Sequence, residues 1–389
     1  MANNIMYKDT EIPQEYKLKK SKSVDSETFK YNLLDIENIK VNVSTQYSDM
    51  KPVIRVGEST FGVNGDISFV SGLPKAGKST ITRFMIATAL MKEVPESCDT
   101  ISIRSEYCKG KKVIYLDTEQ NPSDTQKMIN SILEIAGLNK QPENLIVLNL
   151  RPFSHSDNME YLRTLFHHYN DAYLWIIDGV TDFLPSANDE TASNEIVRYL
   201  MRMSYENDTC IVCLIHENGG GGNGKMRGHI GSEAARKCQG AISIKYEEEK
   251  KVHSITSTHL RGSKRIDPIY WHFNEKGKPV SCSAEIIEKI EKLSEDKYLN
   301  KKYEYIQILD EVYKNIKGIG LQSDELKRQI SIHAPKPKST ISKDGIRKRN
   351  DRLFEGITKS SLLRIEDEKR DGIDRKIYYY ESPNPELKF

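Results

Sequence analysis

The stretch FVSGLPKAGKST, residues 69–80, has the spacing of a phosphate-binding loop. It fits the pattern G-x-x-x-x-G-K-[ST], with an apolar strand-like run before it and a helical run after it. Glycines at these positions allow main-chain N–H groups to approach phosphate oxygens at a helix N-terminus. Lys78 is expected to reach the β- and γ-phosphates, and Ser79 to offer its hydroxyl to Mg²⁺. The predicted nucleotide-binding residues are Gly72, Pro74, Lys75, Ala76, Gly77, Lys78, Ser79 and Thr80.

Such a loop needs acidic residues at the ends of neighbouring strands. Asp178 follows the apolar run YLWII and is predicted to hold the metal together with Ser79, because a carboxylate there emerges at the C-terminal edge of a parallel sheet. Glu119 ends VIYLDTE and is the candidate general base that activates water. Asp117, two residues earlier, is the alternative base.

The elements that must position these residues alternate in type from Pro52 onward. Near-continuous apolar strands alternate with amphipathic helices, which predicts an α/β fold with a mainly parallel sheet covered by helices on both faces. Later segments, GAISIKYEE, KVHSITSTHLRG and DPIYWHF, predict antiparallel strands added to that sheet. We assign residues 51–276 to this core and residues 277–300, which contain a charged amphipathic helix, to a linker.

The motifs GLPKAGKST, YLDTEQ, WIIDGV and LIHEN, in this order, resemble those of the RecA-like ATPases. Within that superfamily the chain resembles the RepA-type hexameric helicases of plasmids and their relatives in mobile elements and phages, over about residues 50 to 275. The resemblance implies a RecA-like core that uses ATP and Mg²⁺. It implies further that Glu119 is the catalytic glutamate and that His216 contacts the γ-phosphate as a sensor.

The same resemblance gives roles to two later stretches. In NGGGGNGKMRGHIG, Lys225, Arg227 and His229 are expected to contact single-stranded DNA in a ring pore. In STHLRGSKR, Arg261 is expected to reach the nucleotide of an adjacent subunit, supported by Lys264 or Arg265. His259 stands where a lysine is commoner in the family. The implied assembly is a homo-oligomer, and the resemblance to hexameric helicases points to a hexamer.

The C-terminal residues, 301–389, are rich in basic side chains and predict three helices followed by a hairpin, which resembles a winged helix. In the third helix, apolar spacing predicts that one face is buried and that the basic residues are left for solvent and for duplex DNA. A basic hairpin follows, and protein docking is the alternative use of this domain. The buried set is Ile346, Leu353, Phe354 and Ile357; the DNA-binding set is Arg347, Lys348, Arg349 and Arg352; the basic hairpin residues are Lys369, Arg370, Arg375 and Lys376.

The remaining composition is that of an ordinary globular chain. Of 389 residues, 37% are hydrophobic and 29% charged, and no apolar run is long enough for a membrane span, so we expect a cytoplasmic protein with no membrane partner. Its six scattered cysteines are expected to be reduced thiols. Residues 1–50 form a polar segment whose apolar island YNLLDIENI could dock on a neighbouring subunit.

The function expected from these features is Mg²⁺-dependent ATP hydrolysis coupled to DNA, as a ring helicase or DNA-dependent ATPase that replicates or mobilises a plasmid, phage or mobile element. Two alternatives stay open. One is a regulator in which ATP gates binding to duplex DNA, and the other is an ATPase that loads or remodels a partner without unwinding DNA. Stimulation by single-stranded DNA and unwinding of a forked duplex distinguish the helicase from both.

Overall fold

The computed structural model describes residues 39–44, 49–219, 224–316, 318–336, 342–370 and 373–383. The chain divides into two units, residues 1–50 and 51–389. The described residues of the first unit contain no helix or strand, and the apolar island around residues 31–39 lies almost wholly outside the described residues. Its role stays a prediction.

The second unit is built on a nine-stranded sheet in the order β12-β11-β10-β9-β3-β8-β7-β5-β6. The six strands from β9 to β6 are parallel, and the three at the other end are antiparallel. The segments KVHSITSTHLRG and DPIYWHF form the antiparallel β10 and β11, as predicted, but GAISIKYEE forms β9, which pairs parallel with β3 and antiparallel only with β10. The bounds are β3 Ile67–Gly72, β5 Val113–Asp117, β6 Leu145–Asn149, β7 Leu174–Asp178, β8 Cys210–His216, β9 Gly240–Glu247, β10 Val252–Leu260, β11 Ile269–Phe273 and β12 Pro279–Ser281.

Helices cover both faces of this sheet because each central strand carries apolar side chains on both sides. The helices are α1 Lys78–Leu90, α2 Pro122–Ala136, α3 His155–His168, α4 Glu190–Glu206 and α5 Gly228–Lys237. On β5, Tyr115 packs with α1 and α2, whereas Leu116 packs with α3 and α4. The α/β class with a RecA-like, mainly parallel sheet is therefore confirmed.

A second, three-stranded sheet lies against the α1 face, in the order β2-β1-β4, with β1 Pro52–Val56, β2 Ser59–Val63 and β4 Ile103–Ser105. The stretch Gly-Val-Asn-Gly, residues 62–65, is a turn signal between two apolar runs and predicts a turn, but its first two residues belong to β2. Strand pairing with β1 prevails over the turn signal there because Val63 is buried and pairs with Pro52.

The C-terminal part consists of helices α6 Ala284–Tyr313, α7 Ser323–His333 and α8 Lys343–Lys359 with a sheet of order β13-β15-β14. The strands are β13 Leu321–Gln322, β14 Leu363–Arg370 and β15 Ile373–Tyr380. Three helices and a hairpin were expected, and the short β13 was not. The segment assigned as a linker, residues 277–300, contains β12 and the first half of α6, which continues unbroken into the C-terminal part.

Two local expectations are corrected. The pair Gly231-Ser232 before EAARK predicts a helix start with Ser232 as its N-cap, but α5 begins four residues earlier, and the Ser232 hydroxyl donates to the Gly228 carbonyl. Ile346 was expected in the buried face of α8, but its side chain is exposed; Ile357 on the same helix is fully buried. The six cysteines, all within the described ranges, form no disulfide. No described helix is long and apolar enough to cross a membrane.

Candidate nucleotide-binding site

The phosphate loop joins β3 to α1, and its two glycines are required by packing as well as by conformation. Gly77 has φ of +101°, and a Cβ there would lie 2.8 Å from the buried ring of Trp271. A Cβ on Gly72 would lie 2.5 Å from the Ile244 carbonyl oxygen on the adjacent β9. Any larger residue at either position must displace main chain or a buried indole. The loop is therefore fixed by the antiparallel strands as well as by the parallel sheet.

The rest of the loop sits as predicted, at the N-terminus of α1. Pro74 and Lys75 are exposed, Lys75 with a φ of +63°, whereas Ala76 and Thr80 are buried. The Ala76 carbonyl accepts a hydrogen bond from His253 Nδ1 at 2.8 Å, so Nδ1 carries the ring proton in that contact. The His253 ring stacks on Trp271, with centroids 4.1 Å apart.

Ser79 and Asp178, the predicted metal pair, are in contact. The Ser79 hydroxyl donates to Asp178 Oδ2 at 2.9 Å, and the Tyr115 hydroxyl donates to the same oxygen at 2.5 Å. The Asp178 carboxyl group is buried, and this burial raises its pKa to about 7. A serine hydroxyl beside a buried aspartate fits Mg²⁺, which takes one or two protein oxygens and completes its shell with phosphate and water. The described residues contain no cluster of three or more His, Cys, Asp or Glu suited to a metal held by protein alone.

Lys78, His216 and Glu119 form a continuous hydrogen-bonded chain. Lys78 Nζ lies 3.2 Å from His216 Nδ1, and His216 Nε2 lies 3.1 Å from Glu119 Oε1. An ammonium group can only donate, so Nδ1 accepts and the ring proton is placed on Nε2, which donates to Glu119. The hydrogen bond from His216 lowers the pKa of Glu119, and burial lowers the pKa of Lys78. Glu119 is therefore an ionised carboxylate, and its side chain remains 37% exposed, open to water.

Asp117, the alternative base, has a structural role. It is fully buried and accepts hydrogen bonds from the Glu119 and Gln120 main-chain N–H groups, at 3.1 and 3.0 Å, and from the Thr125 hydroxyl at 2.7 Å. These bonds hold the turn that carries Glu119 and the start of α2. The geometry favours Glu119 over Asp117 as the base.

Two residues that sequence reasoning missed fix the turn after Asp178. The Thr118 hydroxyl oxygen lies 2.8 Å from the Asp178 carbonyl oxygen and 2.7 Å from Asp182 Oδ2, and its one O–H proton is shared between these acceptors. A Cβ on Gly179 would lie 2.1 Å from that hydroxyl oxygen, so only glycine fits there. Asp182 lies in the 3-10 turn Val180–Phe183. The pair Asp178-Gly179 and the threonine Thr118 are visible in the sequence as turn residues. Only the fold shows that they contact each other.

Glu217 is a third residue that was missed. It is buried beside the loop and accepts hydrogen bonds from the hydroxyls of Ser71 at 2.8 Å and Ser243 at 2.5 Å. The two serines face each other in register across β3 and β9. Serines inside two largely apolar strands were the available signal, because a fully buried hydroxyl needs a partner.

The predicted pore loop is hydrogen-bonded directly to the end of β8, where the predicted sensor His216 lies. The Arg227 N–H donates to the His216 carbonyl at 2.8 Å, and the Asn218 N–H donates to the Lys225 carbonyl at 3.1 Å. The side chains of Lys225, Arg227 and His229 are exposed. Residues 220–223, which include three of the glycines, lie outside the described residues.

Arg261 lies far from the phosphate loop of its own chain. It follows β10, and its main-chain N–H donates to Gln239 O, beside the start of β9, whereas the loop lies beside Ile244. Ile244 lies four residues along β9 from its first residue, Gly240, which is about 13 Å. The Arg261 guanidinium donates to the Arg236 carbonyl at 3.1 Å. The structure does not bring this arginine to the site within one chain.

The predicted DNA-binding cations of α8 are mostly exposed and carry local partners. Arg347 and Lys348 both pair with Asp344, at 2.8 and 2.7 Å. Arg349, expected on the solvent side, is half-buried and donates to the Pro335 carbonyl. Arg352 is exposed. Exposed pairs of this kind contribute about 0–1 kcal/mol, so a phosphate can replace the carboxylate at little cost.

No protein-family model and no curated protein sequence matches the chain. Solved structures do match, among them a KaiC-like protein from the hyperthermophilic archaeon Pyrococcus horikoshii. The likeness has a TM-score of 0.39 and 13% identity over 57% of this chain and 91% of that one, which is too distant to carry an argument about function. The strand order gives the conclusion: the chain has a RecA-like α/β core, in which the loop expected to bind phosphate joins β3 to α1.

Proposed function

We propose that this protein is a Mg²⁺-dependent ATPase whose hydrolysis is coupled to DNA. The observation that carries the proposal is the convergence of two contacts at one sheet edge, Ser79 with Asp178 and Lys78 with His216 and Glu119. Phosphoryl transfer to water needs little beyond positioning and charge stabilisation. The chain supplies the cation, the metal pair and the base within a few ångströms of one another.

Each residue has a distinct task in this proposal. Lys78 now donates to the carbonyls of Gly72 and Leu73, at 3.1 and 3.2 Å, and a triphosphate would offer its ammonium anionic acceptors instead. Bound at Ser79 and Asp178, Mg²⁺ would neutralise charge on the β- and γ-phosphates. Glu119 accepts a proton from the attacking water. A γ-phosphate oxygen would replace Glu119 as the acceptor of the Nε2 proton of His216.

The test of nucleotide hydrolysis compares two lysines of one loop. Lys78→Ala should reduce turnover by at least ~10³-fold, because the principal cation on the transferred phosphate is removed. Lys75→Ala removes an exposed lysine of the same loop and should leave turnover nearly unchanged. Circular dichroism establishes that both variants fold. If calorimetry of the natural chain with Mg²⁺ shows no heat from ATP, the proposal is wrong.

Coupling to DNA is supported by the main-chain bond between His216 and Arg227. This hydrogen bond connects the proposed sensor residue directly to the exposed cationic loop, so a shift of one is transmitted to the other. We therefore expect single-stranded DNA to stimulate turnover, and Arg227→Ala to lose the stimulation while keeping the basal rate. Unwinding of a forked duplex, measured beside turnover, distinguishes a helicase from the regulator or partner-loading ATPase.

We infer that the protein assembles into a ring with active sites shared between subunits. The inference is based on Arg261, which lies at the sheet edge away from the phosphate loop of its own chain. The sharpest test mixes two inactive variants, Arg261→Ala and Lys78→Ala. In a mixed ring, some sites combine an intact Lys78 from one subunit with an intact Arg261 from the next, so activity should return on mixing. If Arg261→Ala retains full activity alone, the arginine has no role in a neighbour's site.

A further inference from the structure

A groove between α3, α4 and the turn that follows β7 has no part in the proposed hydrolysis. Its volume is about 590 Å³, and it lies on the sheet face opposite α1. We call it the arginine groove after the three arginines that line it, Arg163, Arg198 and Arg202. We propose that the arginine groove binds a segment of a partner protein that carries apolar anchors beside carboxylates.

The charge of the arginine groove favours an acidic ligand. Its three arginines are opposed by one lining carboxylate, Glu195. Arg198 is exposed and has no ion pair or hydrogen bond with any residue in the described ranges. An uncompensated guanidinium beside two others recognises carboxylates bidentately.

The other two arginines are held only loosely. Arg163 pairs with Glu160 at 3.6 Å, and Arg202 pairs with Glu206 at 3.8 Å. Both pairs are exposed and lie within one helix, so each contributes a fraction of a kcal/mol and yields readily to a ligand carboxylate. Arg202 also lies over the Tyr199 ring, 5.6 Å from its centroid, which orients the guanidinium.

The base of the arginine groove is apolar, which distinguishes it from a simple anion site. It is lined by Phe183, Leu184 and Ile196, which are nearly fully buried, and by the half-buried Met159 and Ala192. Arginine, tyrosine and methionine around such a base are the residue types enriched at protein interfaces. An apolar base offers nothing to a phosphate backbone, so the composition favours a peptide over nucleic acid.

The experiment uses the full chain and a short fluorescein-labelled peptide with two leucines flanked by glutamates, followed by fluorescence anisotropy. A second peptide replaces every glutamate by glutamine. The acidic peptide should bind at least ~10-fold more tightly than the glutamine peptide, because a neutral amide cannot accept a bidentate, charge-assisted pair of bonds from arginine. Arg198→Glu should abolish that preference.

Two further variants define the site. Ala192→Phe fills the base of the groove without altering charge and should weaken binding of the acidic peptide by about tenfold. Lys127→Glu reverses the charge of an exposed cation on α2, which pairs with Asp124 at 2.7 Å and does not line the groove, and should change nothing. Basal ATP turnover of all three variants should match the natural chain, because none touches the site at β3, β7 and β8.

Several outcomes would overturn the proposal. Equal binding of the two peptides, or binding that survives both Arg198→Glu and Ala192→Phe, means that the groove is not the peptide site. If Arg198→Glu instead lowers the affinity for a labelled oligonucleotide, the arginines serve nucleic acid. If it changes only the sedimentation coefficient, the groove is an interface between copies of this chain.

Discussion

The phosphate-loop edge of the sheet and the helix α8 both carry charged residues that the sequence marks as functional, but the fold treats them differently. At the sheet edge, Lys78 and Asp178 are buried and each contacts residues from other strands. On α8, Arg347 and Lys348 are exposed, and their partner Asp344 belongs to the same helix. A buried charged group is held in one position by its partners, whereas an exposed charged group remains available to any partner.

The difference has an energetic basis. A buried ion costs several kcal/mol unless it is paired and hydrogen-bonded, so a sequence that buries one must also supply its partners. The chain Lys78–His216–Glu119 meets that requirement with residues up to 138 positions apart. On α8 nothing of the kind is required, and the basic cluster is compatible with DNA, protein or solvent. The proposed nucleotide site is therefore supported by its geometry, while duplex binding by a winged helix stays a prediction.

The largest expected effect separates the base from its structural neighbour. Glu119→Gln should lower ATP turnover by ~10²–10⁴-fold with little change in nucleotide affinity, because the proton acceptor is removed and charge at the phosphates is barely altered. Asp117→Asn should instead lower the free energy of unfolding by about 1–3 kcal/mol, since several buried hydrogen bonds are weakened. Single-turnover kinetics and urea titration distinguish the two. Normal turnover in Glu119→Gln would refute the assignment of the base.

The next effect tests how far packing fixes the loop. Gly77→Ala should cost about 1–2 kcal/mol for its left-handed conformation and a further 1–3 kcal/mol because Trp271 occupies the space of a Cβ. Gly137→Ala, at the C-terminus of α2, has φ of +65° with no atom near the new Cβ and should show only the first cost. Chemical denaturation of both measures the difference. Equal destabilisation would mean that Trp271 gives way freely.

A smaller effect concerns the buried Asp178. Its pKa is raised to about 7 from an ordinary 3.8, so the folded chain binds this proton more tightly than the unfolded chain does. Its contribution to stability is fully present below pH 3.8 and is lost as pH rises through about 7. Asp178→Asn should therefore raise the melting temperature by a few degrees near pH 8, with a gain that shrinks toward pH 5.

Calorimetric scans without nucleotide or Mg²⁺ measure that pH dependence, and Tyr115→Phe serves as a matched control. It removes a hydrogen bond to the same carboxylate and should lower stability most near pH 8, where Asp178 is ionised. A gain in Asp178→Asn that is constant with pH would contradict the assignment of the titration to this residue.

The smallest effect concerns the exposed basic residues of α8. Replacing Arg347 and Lys348 together by alanine should lower the slope of log affinity for duplex DNA against log salt by about 2, one unit for each phosphate that is no longer neutralised. Lys359→Ala, in the last turn of α8 and paired with Glu355, should leave the slope unchanged. An unchanged slope in the double variant would mean that α8 does not meet DNA and would favour protein docking.

Much of the site was readable from the chain because local rules fix it. The spacing of Gly72, Gly77 and Lys78 and the strands that precede Glu119 and Asp178 place these residues at one edge of any parallel sheet. The sequence did not show which hydrogen-bond partners hold these residues in place. Glu217 with its two serines, and Thr118 with the turn after Asp178, join segments far apart in sequence, and no local periodicity encodes such pairs.

The sequence by itself determined the α/β class, the phosphate loop and the identity of the acids, since strand and helix periods and loop glycines are local consequences of backbone sterics and apolar burial. Only the tertiary structure decided that Asp117 holds a turn while Glu119 faces water, that Trp271 and Ile244 leave space for glycine alone, and that Arg261 lies at the opposite edge from its own loop. These outcomes depend on strand order and on packing between segments that are distant in sequence, and both are determined only when the whole core is packed.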